Sequence, residues 1–175
     1  ANHLIGSGLG VRTERAHLAG HESGQDHLAV YLHNGNEYLE AMLGALKARV
    51  ASLNVNYRYV AEELLYLLND SNARAVVIHS VFTPTLAEVL PQLPNLDVIL
   101  QVPDESGHPL LPGAVWYEDA LAAASPQRPA LEWSPDDLYL QWMYDAGASA
   151  YFDVLGAHGP GFKAPPDISP DEAAS

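Results

Sequence analysis

The densest group of possible metal ligands in the chain lies between residues 17 and 27. It contains three histidines and two carboxylates: His17, His21, Glu22, Asp26 and His27. His17 and His21 have the i,i+4 spacing of helical metal sites, in which two imidazoles on one helix face bind the same ion. Gly20 and Gly24 argue against a helix over this stretch. The pattern therefore favours a solvated loop before the first strand over a metal site.

A histidine and a serine, His79 and Ser80, are neighbours at the end of a predicted strand. The carboxyl ends of strands in α/β proteins often carry functional groups, and a serine close to a histidine suggests a nucleophile and its base. Neighbouring residues of an extended chain point to opposite faces, so His79 cannot activate Ser80 directly. The chain also contains no G-x-S-x-G motif. We interpret the two residues as ordinary polar groups at a strand end.

Tyr57, Arg58 and Tyr59 form a polar and aromatic connector after another predicted strand. Arg58 is one of only eight basic residues, which makes it a candidate for contact with a phosphate group of a substrate. Glu62 lies four positions later, at the start of a predicted helix, and ion pairs form at this spacing. We prefer the structural pairing of Arg58 with Glu62 and keep the substrate contact as the alternative.

The charge of the chain excludes several classes of partner. Of the 175 residues, 22 are acidic and 8 are basic, which gives a formal net charge of −14. Such a surface repels nucleic acid and anionic lipid, and a polyanionic ligand needs locally placed donors. No apolar run approaches the roughly 20 residues that span a membrane, and no segment resembles a signal peptide. With no cysteine available for disulfides or thiolate chemistry, we expect a cytoplasmic protein.

Hydrophobic patterns predict that strands and helices alternate over residues 27–102. Four strands are predicted at 27–32, 50–55, 74–79 and 96–102. Helices are predicted at 37–49 and 60–69, and a third is predicted to be capped by Thr83 with Pro84 at its first position. Further along, a short helix is predicted at 117–124 and a fifth strand at 138–143. This alternation is typical of an α/β fold, a mainly parallel sheet with helices on both faces.

The helix predicted at 37–49 has an apolar face. Four residues recur at helical spacing and are expected to face the core: Leu39, Met42, Leu43 and Leu46. Asn34, with Glu37 three residues later, is predicted to cap the start of this helix.

Several segments, in the same order along the chain, resemble the acyl-CoA synthetases of the AMP-binding, adenylate-forming superfamily. The stretch that runs Tyr31-Leu-His-Asn-Gly-Asn-Glu-Tyr-Leu-Glu-Ala-Met-Leu-Gly-Ala-Leu-Lys-Ala-Arg49 resembles the first βα unit of that family. Residues 1–10 resemble the end of the family's first long helix, and residues 133–139 resemble the lead-in to its nucleotide signature. Two further similar segments lie between them, at residues 53–64 and 69–77. The resemblance covers most of residues 1–144, and none of the matched segments carries the chemistry.

This resemblance implies a fold, an activity and a set of ligands. Residues 1–144 would be an N-terminal α/β subdomain, and residues 145–175 an irregular tail. The whole enzyme would couple a fatty acid or related carboxylic acid to ATP, forming an acyl-adenylate and pyrophosphate, and CoA would then displace AMP. ATP, CoA and Mg²⁺ are the implied cofactors.

The sequence departs from the family pattern at Tyr144. The family has here a loop of glycines and hydroxyl residues followed by a lysine. The backbone amides and hydroxyls of the loop donate hydrogen bonds to phosphate groups, and the lysine adds a positive charge. In this chain the corresponding residues read Tyr-Asp-Ala-Gly-Ala-Ser-Ala-Tyr-Phe-Asp. If this is a degenerate loop, Tyr144, Gly147 and Ser149 are its remaining cofactor-binding residues. Asp153 then stands where the lysine belongs and repels triphosphate.

A second account holds that the loop is missing from the chain. Residues 145–175 then correspond to a helix and an acidic connector that follow the loop, and we prefer this account. The chain also begins with Ala1 inside a predicted helix, so we expect a fragment of a longer protein that is inactive alone. The alternative is a non-catalytic α/β module that binds a protein partner or a small ligand.

Overall fold

A five-stranded sheet forms the centre of the described chain. The computed structural model describes residues 1–19 and 22–131, of which Ala1–Pro129 form one compact unit. The strands are β1 (His27–Tyr31), β2 (Ala51–Asn54), β3 (Ala73–His79), β4 (Val98–Val102) and β5 (Val115–Trp116). Every pairing within the sheet is parallel, in the order β2-β1-β3-β4-β5. The predicted α/β fold class is confirmed.

Helices cover both faces of the sheet. They are α1 (Asn2–Gly6), α2 (Asn36–Lys47), α3 (Ala61–Asp70), α4 (Thr83–Val89) and α5 (Tyr117–Ala123). One hydrophobic cluster contains residues of α1, α2 and α5, and the second contains residues of α3 and α4. Within the described residues, no helix is long and apolar enough to cross a membrane.

Strand β1 contributes side chains to both clusters. Leu28 and Val30 belong to the first cluster, and Ala29 and Tyr31 belong to the second. Successive side chains of a strand point to opposite faces, so a strand covered on both faces is a continuous apolar run. This explains why the sequence of β1 does not alternate between polar and apolar residues.

The predicted core face of α2 is confirmed only for Met42, which packs against the first cluster. The fully buried residues of this helix are Ala41 and Ala45, which belong to the first cluster. Leu39, Leu43 and Leu46 are only partly buried and lie outside both clusters of the described residues. Small side chains let the helix backbone approach the sheet closely, so volume and not apolarity alone selects the inner face.

The ends of several elements also differ from the predictions. The N-cap of α2 is Gly35, in extended backbone and with no side-chain cap, so the prediction for Asn34 is wrong. Thr83 is the first residue of α4 and not its cap, because a 3₁₀ turn at Ser80–Phe82 leads directly into the helix. The two-residue strand β5 was not predicted. The predicted strand at 138–143 lies outside the described residues, as does the predicted division between 144 and 145.

The amino ends of three strands are joined by a network of charged groups. Asp26, immediately before β1, is buried, and its carboxylate accepts hydrogen bonds from the Gly10 N–H (2.9 Å) and from Nε of Arg12 (3.0 Å). Arg74, in β3, pairs with the same carboxylate at 3.2 Å. Arg74 also pairs with Asp97, next to β4. The network therefore ties the N-terminal segment to β1, β3 and β4.

Candidate functional site

The carboxyl edge of the sheet contains a topological switch point. The chain leaves β1 for β2 on one side and later returns to β3 on the other side of β1. In open α/β sheets, ligands bind in the crevice outside the carboxyl ends of two strands related in this way. His33 follows β1, and His79 is the last residue of β3, so these two histidines mark the crevice.

His33 and His79 are hydrogen-bonded across the switch point. The backbone N–H of His33 donates to Nδ1 of His79 at 3.0 Å, and the two ring centroids are 5.7 Å apart. Burial lowers the pKa of His79, and the charge of Asp104 opposes this shift while that of His33 adds to it. An Nδ1 atom that accepts a hydrogen bond carries no proton, so this geometry requires the neutral imidazole in its Nε2–H tautomer.

An aromatic wall extends from the core to this crevice. Tyr31 stacks on Phe82 with ring centroids 4.5 Å apart, and burial raises the pKa of Tyr31. The His33 ring lies 4.8 Å from Phe82 and 5.2 Å from Tyr57. Tyr57 itself is 47% exposed. The wall gives the crevice one aromatic side that ends at the surface.

The prediction that Arg58 pairs with Glu62 is wrong. In the described part of the chain these two side chains form no ion pair. The Arg58 side chain is exposed, and its Cζ lies 5.5 Å from the centroid of the Tyr57 ring. The start of α3 is instead stabilised by Glu63, whose carboxylate accepts a hydrogen bond from the Val60 N–H at 3.1 Å. Arg58 therefore remains available for a ligand at the carboxyl edge.

A buried glutamine fixes the loop that follows β4. The side-chain Nε2 of Gln101 donates to Oγ of Ser80 (2.9 Å) and to the carbonyl of Pro109 (3.0 Å), and its Oε1 accepts from the Leu111 N–H (2.9 Å). The Ser80 hydroxyl donates to the Val102 carbonyl at 3.1 Å. These bonds make Ser80 a structural residue and not a partner of His79. The signal for Gln101 in the sequence is a single polar residue within an apolar strand.

Asp104 closes the same edge beside His79. Its carboxylate accepts hydrogen bonds from the backbone N–H groups of Val81 (2.8 Å) and Ser106 (2.9 Å). Burial alone would raise the pKa of Asp104, but the hydrogen bonds from Ser106 and Val81 outweigh burial and lower it. Asp104 is therefore an anion that faces His79.

Two of the possible metal ligands between residues 17 and 27, Asp26 and His27, have other partners. Asp26 belongs to the charged network at the amino edge. His27 contacts the Ser71 carbonyl through Nδ1 and lies 2.9 Å from Oγ of Ser23 through Nε2. Within residues 1–19 and 22–131, no group of three or more His, Cys, Asp or Glu side chains is arranged to hold a metal ion. His21 lies outside the described residues.

The residues predicted to bind the nucleotide lie outside the described part of the chain. Tyr144, Gly147 and Ser149 follow Leu131, the last described residue, so their role stays a prediction. The described residues of the carboxyl edge include Arg58 as a cation but contain no loop of glycines and hydroxyls that would bind a triphosphate.

The enzyme family of the chain follows from comparison with known proteins. The family model described as AMP-binding enzyme matches residues 16–144. The chain belongs to the AMP-binding enzyme family. This confirms the resemblance to adenylate-forming acyl-CoA synthetases found in the sequence.

Two relatives of this AMP-binding protein are CoA ligases. The chain is 56% identical over 149 residues to the medium-chain acyl-CoA ligase Mig of Mycobacterium avium, and this alignment covers 85% of this chain and 27% of the relative. It is 35% identical over 127 residues to a 3-oxocholest-4-en-26-oate–CoA ligase of Rhodococcus rhodochrous, and this alignment covers 72% of this chain and 22% of the relative. The chain therefore spans about a quarter of the length of these relatives.

Solved structures of the same family share the fold. The anthranilate CoA ligase AuaEII, in complex with anthranoyl-AMP, matches with a TM-score of 0.61 and 19% identity, over 78% of this chain and 23% of that structure. An acyl-CoA synthetase of Brucella canis matches with a TM-score of 0.60 and 20% identity, over 78% of this chain and 22% of that structure. The α/β unit described above is thus a part of the fold of these larger enzymes.

Proposed function

We propose that the chain is an N-terminal part of an AMP-forming acyl-CoA ligase that acts on a medium- or long-chain carboxylic acid. The 56% identity to the ligase Mig over 85% of the chain carries this proposal. The lower identity to the 3-oxocholest-4-en-26-oate–CoA ligase makes a steroid-like acid the second choice. The protein would act in the cytoplasm on small molecules and not on nucleic acid, in keeping with its net charge of −14.

The proposed reaction couples the acid to AMP, releases pyrophosphate and then transfers the acyl group to CoA. ATP and CoA are its co-substrates, and Mg²⁺ would neutralise charge on the phosphate groups of ATP. The residues proposed to bind ATP, Tyr144, Gly147 and Ser149, lie outside the described part of the chain. The isolated 175-residue chain is therefore proposed to be inactive, and its contribution is to build one side of the site.

A chimera of the M. avium ligase tests this function. Its aligned 149-residue segment is replaced by that of this chain, and acyl-CoA formation is measured with medium-chain fatty acids. We expect kcat/KM within about tenfold of the parent enzyme, which corresponds to a change of at most about 1.4 kcal/mol in the barrier. The isolated chain, assayed in parallel for ATP–pyrophosphate exchange, is expected to show none.

Two results would contradict the proposal. One is a chimera that folds, as judged by circular dichroism, but neither exchanges pyrophosphate nor forms acyl-CoA. The other is an isolated chain that forms acyl-adenylate, since the missing three quarters would then be dispensable. The first result would favour a non-catalytic module.

We further propose that Arg58 contacts a phosphate group of CoA. Its guanidinium is exposed, lies over the Tyr57 ring and borders the switch point. In the chimera, Arg58→Ala is expected to raise KM for CoA by about 10- to 100-fold, the scale of one hydrogen bond to a charged group. The rate of pyrophosphate exchange without CoA should not change.

Arg58→Lys is the matched control for this measurement. Lysine keeps the charge but loses the planar group that stacks on Tyr57 and binds phosphate through two N–H groups, so an intermediate KM for CoA is expected. An unchanged KM for CoA in Arg58→Ala, or an equal rise in KM for ATP, would exclude this role.

A further inference from the structure

The hydrogen bond between His33 and His79 joins two loops that are far apart in sequence. It connects the turn before α2 to the end of β3 over 3.0 Å, beside a ring contact of the same two residues whose centroids are 5.7 Å apart. The bond exists only while Nδ1 of His79 lacks a proton. When His79 is doubly protonated, two N–H donors face each other, and a donor pair without an acceptor is unfavourable.

His33 in turn contacts the segment that carries Arg58. The His33 ring lies 5.2 Å from the ring of Tyr57, and the Arg58 guanidinium lies 5.5 Å from the same Tyr57 ring on the exposed surface. Tyr57 is nearly half exposed, and the His33 ring packs against its less exposed part. A shift of His33 therefore removes one of the supports of the Tyr57–Arg58 pair.

We propose that His79 is a positioning residue that holds Arg58 in place for CoA through His33 and Tyr57. The inference rests on the proposed function, because it concerns the binding of CoA by the full-length ligase. It assigns to His79 no contact with a substrate.

The groups around His79 determine when this support is lost. His79 faces Asp104 from the loop after β4, Glu37 from α2 and His33 from the turn after β1. Burial lowers the pKa of His79, the two carboxylates raise it, and the net result is a pKa below the ordinary value. The neutral form is therefore present at neutral pH, and its stabilising hydrogen bond is lost as the pH falls through the lowered pKa.

The expected consequence is a pH-dependent affinity for CoA. In the full-length ligase or the chimera, KM for CoA should rise by about three- to tenfold, the scale of one net hydrogen bond, as the pH falls through the lowered pKa of His79, below the ordinary histidine value of about 6.5. Adenylate formation, measured by pyrophosphate exchange without CoA, should not follow the same profile.

Two substitutions at His79 separate positioning from a general structural role. His79→Asn places an amide oxygen where Nδ1 lies and does not titrate, so KM for CoA should stay low and lose its dependence on pH in the acid range. His79→Leu has no acceptor, so KM for CoA should be high at every pH. His17→Asn, an exposed histidine away from the carboxyl edge, serves as the control and should behave like the parent.

The protonation state is measured directly by nitrogen NMR of the histidine rings in the full-length ligase. We expect Nδ1 of His79 to be unprotonated at neutral pH and to titrate below the ordinary histidine pKa. A protonated Nδ1 at neutral pH, or an unchanged KM for CoA in His79→Leu while pyrophosphate exchange persists, would overturn this inference alone. Absence of pyrophosphate exchange in the parent chimera would overturn the proposed function and this inference with it.

Discussion

Replacing Asp26 by alanine is expected to lower the free energy of unfolding by about 3–5 kcal/mol, the cost of removing one partner from a buried ion pair. The Asp26 side chain is 4% exposed and is the shared acceptor for Arg12, Arg74 and the Gly10 N–H. Alanine would leave these donors without their acceptor at the amino edge of the sheet. Urea-induced unfolding, analysed by linear extrapolation, measures the loss.

Asp97→Ala is the matched control for this experiment. It removes another aspartate that pairs with Arg74, but the Asp97 side chain is 46% exposed. Exposed ion pairs contribute about 0–1 kcal/mol, so a loss below about 1 kcal/mol is expected. Equal losses in the two variants would show that burial of Asp26 does not determine its contribution.

Leu64→Ala is expected to lower the free energy of unfolding by about 2–5 kcal/mol, because a buried leucine replaced by alanine loses transfer free energy and leaves a cavity. Leu64 is fully buried in α3 and belongs to the cluster that also contains Ile78 of β3 and Leu86 of α4. The same urea titration measures the change, and an unchanged slope would show that the unfolded state is not altered.

Leu39→Ala makes the same deletion in α2. Leu39 is partly exposed and belongs to neither hydrophobic cluster of the described residues. A loss below about 1.5 kcal/mol is expected, because a partly exposed leucine has less transfer free energy to lose. If Leu39→Ala were as destabilising as Leu64→Ala, the leucines of α2 would belong to the core after all.

The strands of this fold are predictable from sequence for a simple physical reason. A parallel strand covered on both faces is apolar along its buried part, so residues 28–31 and 75–78 are apolar runs within the strands β1 and β3, whose ends also hold His27, Arg74 and His79. Their bounds differ from the predicted ones by only one residue at one end. Strand β5 has only two residues, which is too short for any periodic pattern to indicate.

The inner face of α2 could not be predicted from apolarity. A helix pattern ranks leucine above alanine, yet Ala45 lies in the core and Leu43 does not, because the distance between helix and sheet selects small residues. That distance depends on the sheet and on the other helices, and no local pattern encodes it.

The candidate site was only partly predictable. The presence of His79 at a strand end follows from sequence, but its contact with His33 joins residues 46 positions apart and depends on which strands are neighbours. Arg58 was recognised as a candidate, whereas its predicted pairing with Glu62 failed. The i,i+4 rule describes positions within a helix, and Arg58 precedes the start of α3 at Ala61.

Each strand after β2 joins the sheet on the same side. β3 pairs with β1, β4 with β3 and β5 with β4, so the sheet can grow in the order in which the ribosome releases the chain. Each parallel strand can pair only after the crossover segment before it is complete. The chain therefore loses the entropy of closing that loop before strand pairing stabilises it. Until β3 is released, β1 has a partner only in β2, and its free edge is open to pairing with another nascent chain.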